Sequence, residues 1–153
     1  MKVLVTGGTG FVGSHTVAEV VRAGHDVKLL VRDPSRIRPA LEPLGVGEVE
    51  SVMGDVTDKE SVERALEDCD AVIHCTSVYS LDPRTADSIT NTNVTGTDLV
   101  IGTAHEMGLD PIVQVSSFVA LIGTKGAILT PDSVPTTPPG AYYRSKADSD
   151  RVA

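Results

Sequence analysis

Short apolar runs alternate with segments of helical periodicity along most of the chain. The apolar runs predict buried strands, because a strand covered by helices on both faces is apolar without alternation. We expect these strands at Lys2–Val5, Asp26–Val31, Glu48–Met53, Ala71–His74 and Pro111–Val115. Alternation of strands with helices predicts an α/β fold: a doubly wound parallel sheet with right-handed crossovers and helices on both faces.

The segments between the strands predict helices of unequal length. Helices are expected at Phe11–Ala23, Pro34–Leu44, Thr57–Glu67 and Asp87–Met107, and a last one from Ala141. Thr57 and Glu60 have the spacing of a capping box, whereas Pro39 and Pro43 interrupt the second helix. Phe118–Gly140 is rich in Gly, Pro and Thr and is expected to be a loop.

A glycine-rich turn, Thr6–Gly13, joins the first strand directly to the first helix. Gly8, Gly10 and Gly13 fit a G-x-G-x-x-G pattern, and Gly7, Gly10 and Gly13 fit an overlapping G-x-x-G-x-x-G. Glycine lets the backbone turn tightly and approach a pyrophosphate, to which the following helix offers free N–H groups. The pattern therefore predicts a dinucleotide site. Its expected contacts in this turn are Gly7, Thr9, Gly10, Phe11, Val12 and Gly13.

Arg32 directly follows the second strand, at the place where dinucleotide folds distinguish their cofactors. An acidic residue there holds the ribose hydroxyl of NAD, whereas an arginine accommodates the 2′-phosphate of NADP. Arg36 and Arg38 are close enough in sequence to add positive charge. We therefore expect NADP as the cofactor, while Asp33 is near enough to a ribose to keep NAD open.

Gly54-Asp55-Val56 follows the third strand and is expected on the adenine side of the same site. A carboxylate at the C-terminal edge of a strand can accept a hydrogen bond from an adenine amino group. Asp55 can equally cap the turn that follows it, and the sequence does not separate the two roles.

Tyr142 and Lys146 lie one helical turn apart, which places both on one face of the last helix. An ammonium near a phenol favours the phenolate, so we expect Lys146 to lower the pKa of Tyr142 and make proton exchange possible near neutrality. Ser116 and Ser117 end the fifth strand, at the edge where open α/β sheets bind ligands. A serine hydroxyl there can donate to a substrate carbonyl.

Charge and cysteine content exclude several other classes of protein. The 153 residues carry a net charge of −8, which argues against a general nucleic-acid surface. No apolar run approaches the ~20 residues of a membrane-spanning helix. The first strand starts at the N-terminus, and Cys69 and Cys75 are expected to be reduced thiols of a cytoplasmic protein. His74 beside Cys75 has poor spacing for a metal site, so no metal is expected.

Five motifs occur in an order that resembles the extended short-chain dehydrogenase/reductases, the NAD(P)-dependent epimerase/dehydratase type. They are Thr6–Gly13, Gly54–Asp58, Asn93–Thr97, Val115–Ser117 and Tyr142–Lys146. The stretch Val31–Pro34 is similar to the NADP-using branch, which includes dihydroflavonol-reductase-like and 3β-hydroxysteroid-dehydrogenase-like proteins.

The resemblance implies a role for individual side chains. Tyr142 would be the general acid/base, and Lys146 would hold the nicotinamide ribose, so that both would also contact the cofactor. Ser117 would polarise the substrate oxygen, with Ser116 as the alternative, and Asn93 would anchor a water in the proton relay. Family members line the cofactor with a His/Leu-Ala-Ala stretch where this chain has larger polar residues. These additional cofactor-lining residues are Cys75, Thr76 and Ser77.

These roles predict an oxidoreductase that transfers hydride between NADP and a small-molecule secondary alcohol or ketone. The alternatives are an NAD-dependent sugar-nucleotide epimerase or dehydratase and a non-catalytic NAD(P)-sensing module. A doubly wound dinucleotide fold has about six strands in its full order. Residues 1–153 are therefore expected to be an incomplete Rossmann-type domain without the later strands and the substrate domain, and the resemblance implies a homodimer for the longer parent.

Overall fold

The computed structural model describes residues 1–123, 126, 128–130 and 132–153. Within these residues one sheet forms, and all its strand pairs are parallel. The strands are β1 (Lys2–Thr6), β2 (Asp26–Val31), β3 (Glu50–Met53), β4 (Ala71–His74) and β5 (Ile112–Gln114). The predicted fold class is confirmed, and the strand positions agree to within two residues.

The strand order is β3-β2-β1-β4-β5, with β1 in the centre. In the register, Val3 is opposite Val27 on one side and Ala71 on the other. The chain runs outward to β3 and then crosses back over β1 to β4. The direction of winding therefore reverses between β1 and β4, and ligands of open α/β sheets bind at the carboxyl ends of strands at such a point.

The helices are shorter and more broken than the periodicity predicts. They are α1 (Phe11–Arg22), α2 (Ile37–Leu41), α3 (Lys59–Leu66), α4 (Ala86–Thr90), α5 (Gly96–Glu106) and α6 (Ala141–Val152). The long helix expected at Asp87–Met107 is wrong as one regular helix, because a π-helical segment, Asn91–Thr95, separates α4 from α5. Short 3₁₀ turns flank α2; Pro39 lies within α2, and Pro43 lies in the turn that follows it.

The predicted capping box at Thr57 is wrong by one residue. Asp58 is the N-cap of α3, and its carboxylate accepts a hydrogen bond from the backbone N–H of Ser61 at 3.2 Å. Thr57 instead donates its hydroxyl to Asp55 Oδ1 at 2.9 Å. Thr57 belongs to the turn that starts at Asp55, so Asp58 caps α3 in its place.

Two apolar clusters cover the two faces of the sheet. Val5 and Leu29 pack with Val17 of α1 on one face, and Leu4 and Leu30 pack with α3 and α5 on the other. Neighbouring residues of a strand point to opposite faces. This arrangement confirms that helices lie on both sides, as the unbroken apolar runs predicted.

The region Phe118–Gly140 is not entirely loop. A 3₁₀ helix occupies Phe118–Leu121, and Ser117 is its N-cap. Four positions of the predicted loop, Thr124, Lys125, Ala127 and Pro131, lie outside the described residues. Among the residues that are described, no helix has the length and apolar character needed to span a bilayer.

Candidate active site

A cavity of about 660 Å³ opens at the carboxyl ends of β1, β2, β3 and β4. It brings together residues from the glycine turn, the arginine segment, the third strand end and the fourth strand end. The predicted cofactor residues that line it are Gly7, Thr9, Gly10, Phe11, Val12, Gly13, Arg32, Arg36, Asp55, Val56, Cys75, Thr76 and Ser77. Tyr142 and Lys146 do not line this cavity, while Tyr79 and Thr92, which the sequence reasoning missed, do.

The glycine turn has the shape of a cradle that side chains would fill. Gly7 has φ +70°, and a Cβ there would lie 2.8 Å from the backbone N of Thr76. A Cβ on Gly13 would lie 2.2 Å from the carbonyl oxygen of Gly7. Gly8 has a different function, because its missing Cβ makes room for Leu29 of the core. Gly7, Gly10 and Gly13 are therefore the glycines that form the ligand-facing turn.

The start of α1 leaves backbone donors free at the mouth of this turn. Gly10 is the N-cap of α1. Among the described residues no side chain caps this helix, and its first turn contains no acidic residue. The first N–H groups of a helix have no partner within the helix and carry partial positive charge. Such a turn fits the pyrophosphate of a dinucleotide.

Charged groups surround the cavity at the ends of β2 and β3. The Arg32 side chain is 72% exposed, and its Nη1 lies 4.0 Å from Oδ2 of Asp55. Asp55 Oδ1 accepts from the backbone N–H of Thr57 at 2.9 Å, so the turn-capping role is present while Asp55 also lines the cavity. Asp33 Oδ1 accepts from the N–H and hydroxyl of Ser35, and these bonds lower the pKa of Asp33.

Lys146 is buried beside the end of β5. It is 4% exposed, and its Nζ donates to the carbonyl oxygen of Val115 at 3.0 Å. Burial lowers the pKa of Lys146, and Asp150 opposes that effect. The ammonium group is therefore fixed between α6 and the end of β5.

Tyr142 does not have the lowered pKa that the Tyr-x-x-x-Lys spacing predicts. Partial burial raises its pKa, the neighbouring Tyr79 and Tyr143 raise it further, and the nearby Ser117 hydroxyl lowers it. Lys146 is not among the groups that act on it. The expectation is wrong, because the ammonium group of Lys146 is directed to the Val115 carbonyl.

The two serines after β5 have different partners. Ser117 interacts with Tyr142 and accepts at 3.4 Å from the N–H of Val119. Ser116 is exposed and donates to Asp150 Oδ2 at 2.5 Å. Ser117 is thus the serine near the tyrosine.

Asn93 connects the elements on both sides of Tyr142. Its Oδ1 accepts from Val78 N at 2.7 Å, and its Nδ2 donates to the Val78 carbonyl and to Ser145 Oγ, each at 3.0 Å. Its own carbonyl accepts the hydroxyls of Thr97 and Ser149. The π-helical segment places this buried amide between the loop after β4 and α6, so Asn93 acts here as a clamp; the water-anchoring role stays a prediction.

His74 and Cys75 lie at the end of β4, under the glycine turn. His74 Nδ1 lies 2.7 Å from Thr6 Oγ1, and its buried Nε2 has no hydrogen-bond partner among the described residues. Burial, with a smaller contribution from Lys146, lowers the pKa of His74 to about 4. Burial raises the pKa of the Cys75 thiol. Across the described residues, no group of His, Cys, Asp and Glu has the arrangement of a metal site.

A profile of the NAD dependent epimerase/dehydratase family matches residues 3–153. The chain belongs to this family. Curated relatives include a dihydroflavonol-4-reductase-like protein of Synechocystis sp., 34% identical over 97% of this chain and 43% of that protein. A UDP-glucose 4-epimerase of Neisseria meningitidis serogroup B is 31% identical over 99% of this chain and 47% of that enzyme.

Solved structures of similar proteins have the same fold. A dTDP-glucose 4,6-dehydratase of Streptomyces venezuelae with bound NAD has a TM-score of 0.83 and 31% identity, over 99% of this chain and 50% of that one. An NAD-bound short-chain dehydrogenase/reductase superfamily protein of Agrobacterium tumefaciens has a TM-score of 0.82 and 26% identity, over 99% and 44%. This chain spans half or less of the length of these relatives.

Proposed function

We propose that the chain is the NADP-binding part of an oxidoreductase that interconverts a secondary alcohol and a ketone. The observation that carries the proposal is the single cavity lined by both the glycine turn and the Arg32–Arg36 segment. The family membership and the NAD-bound relatives support a nicotinamide cofactor in this cavity. We further propose residues 1–153 as the dinucleotide-binding domain of a cytoplasmic homodimer.

The residues of the site have distinct roles in this proposal. The α1 start and the glycine turn hold the pyrophosphate, and Asp55 and Val56 lie on the adenine side. A bound nicotinamide would supply or accept hydride. Tyr142 holds a proton at its phenol oxygen for the substrate oxygen, to which Ser117 donates a hydrogen bond. Lys146 would hold the nicotinamide ribose.

The phosphate preference is tested by changing Arg32. Titration with NADP and NAD should give tighter binding of NADP, and Arg32→Ala should remove about a tenfold to hundredfold preference, the worth of a charge-assisted contact of roughly 1.5–3 kcal/mol. Arg38→Ala is the matched control, because Arg38 is an exposed arginine just after this segment that pairs with Glu42 and does not line the cavity. Equal affinities of the parent chain for the two cofactors would contradict the proposal.

Asp33 favours the alternative of an NAD-dependent epimerase or dehydratase, because it lines the same cavity. Only Oδ1 of its carboxylate is engaged by Ser35. If NAD is the cofactor, Asp33→Asn should weaken NAD binding more than Arg32→Ala weakens NADP binding. The proposed NADP preference requires the opposite order.

Catalysis distinguishes the oxidoreductase from a sensing module. The measurement is made on a protein of the full length that the relatives have. There, Tyr142→Phe should keep cofactor binding and lower turnover by about 10²–10⁴-fold, because it removes the transferable proton and keeps the ring. Turnover within about twofold of the parent would exclude the general acid/base role. Binding without any turnover by the parent would favour the sensing module.

A further inference from the structure

All the tyrosines of this chain meet at one place. The chain has three tyrosines and no tryptophan. The rings of Tyr79 and Tyr142 lie 4.8 Å apart with an interplanar angle of 85°, and those of Tyr142 and Tyr143 lie 5.9 Å apart at 61°. Edge-to-face pairs at such distances attract each other by more than their buried area alone provides.

Tyr79 lies at the border between the cofactor cavity and Tyr142. It lines the cavity, whereas Tyr142 does not. Tyr142 and Tyr143 instead line a second cavity of about 230 Å³ together with Leu81, Pro83 and the start of α6. The Tyr79 ring therefore contacts the proposed acid/base from the cofactor side.

The position of Tyr79 is fixed by the buried clamp described above. Asn93 bonds both the N–H and the carbonyl of Val78, the residue before Tyr79. The same amide bonds Ser145, which lies one helical turn after Tyr142. The Asn93 side chain thus sets the distance between the backbone next to Tyr79 and the helix that carries Tyr142. This keeps the two rings close enough to pack against each other.

We propose that Tyr79 is a positioning residue for Tyr142, whose ring it holds and shields from water at the boundary between the cofactor cavity and the second cavity. The proposal rests on the proposed function only in that Tyr142 transfers the proton. Its physical consequence is a pKa of Tyr142 above the ordinary value, because shielding from water and a second phenol nearby both raise it.

The test is a near-ultraviolet titration of tyrosinate, which has no tryptophan background in this chain. In a Tyr143→Phe background, Tyr79→Ala and Tyr79→Phe each leave Tyr142 as the only tyrosine. We expect the Phe variant to keep a raised Tyr142 pKa and the Ala variant to shift it down toward the ordinary value of about 10. Tyr79 is 67% exposed, so its truncation does not open the core. Met53→Ala, at a similarly exposed position on β3, is the control; added to the protein with Tyr79→Phe and Tyr143→Phe, it should leave the Tyr142 transition unchanged.

The same Tyr142 transition in the Ala and Phe variants would overturn the proposal. A second measurement at neutral pH is the nuclear Overhauser effect between the ring protons of Tyr79 and Tyr142 in the unsubstituted chain, and its absence would also overturn it. Neither measurement needs cofactor or turnover. A failure of NADP binding would therefore count against the proposed function but not against the role of Tyr79. An unchanged Tyr142 transition would count against the role of Tyr79 but not against the proposed function.

Discussion

At the scale of single residues, His74 couples pH to stability. Its pKa in the folded protein is about 4, below the ordinary value of about 6.5, because a buried imidazolium is costly. The unfolded chain therefore binds a proton that the folded chain does not as the pH falls from about 6.5 to about 4. Neutral His74 contributes fully to the free energy of unfolding above about pH 6.5, and this contribution is lost as the pH falls to about 4.

His74→Gln should flatten this part of the stability profile. Glutamine is neutral at every pH and retains a group able to bond Thr6, whereas protonation of histidine removes up to about 3 kcal/mol of unfolding free energy in the acid range. The measurement is urea unfolding of both proteins across this pH range. The difference between their free energies of unfolding cancels the effects of carboxylates such as Asp58, which both proteins share. Parallel profiles would show that His74 is not buried as a neutral ring.

Residue spacing predicted which side chains share a helix face but not what they touch. Tyr142 and Lys146 follow from a one-turn interval, and α6 begins at Ala141 as expected. The partner of Lys146 is a carbonyl on β5, and the ring against Tyr142 comes from the loop after β4. These contacts join residues far apart in sequence, so a local pattern contains no information about them.

At the scale of elements, the glycines of α5 provide a matched pair. A Cβ on Gly96 would lie 2.8 Å from Cγ2 of the buried Val56, whereas one on Gly102 would meet nothing within 4 Å. Gly96→Ala should destabilise the protein by about 1–3 kcal/mol through overpacking. Gly102→Ala should stabilise it by up to about 1 kcal/mol through helix propensity. Thermal melts of the two variants should move in opposite directions, and a shift of the same sign would contradict the packing of α5 on Val56.

The elements were predictable in kind and less so in their ends. Apolar runs and Gly24 defined β1, α1 and β2 almost to the residue. The π-helical segment at Asn91–Thr95 escaped prediction because an extra residue in one turn leaves the overall periodicity helical. Asn93, in this segment, bonds to the loop after β4 and to α6, and a local pattern does not show such partners.

At the scale of the whole molecule, the site follows from topology. Parallel strands bring their carboxyl ends to one edge, so motifs after β1, β2, β3 and β4 had to converge there, and they line one cavity. Tyr79 and Thr92 were missed because they lie in the loop and π-helical segment between β4 and α5, where no periodic signal marks a ligand-facing position.

NADPH binding to this chain with and without Gly13 tests the dinucleotide site most directly. The parent and Gly102→Ala should bind NADPH alike, as followed by its fluorescence. Gly13→Ala should bind at least about tenfold more weakly, or about 1.4 kcal/mol, because the new Cβ would overlap the Gly7 carbonyl inside the phosphate cradle. A cooperative thermal melt shows that the variant remains folded. Unchanged NADPH affinity of a folded Gly13→Ala variant would contradict the assignment of this cavity as the dinucleotide site.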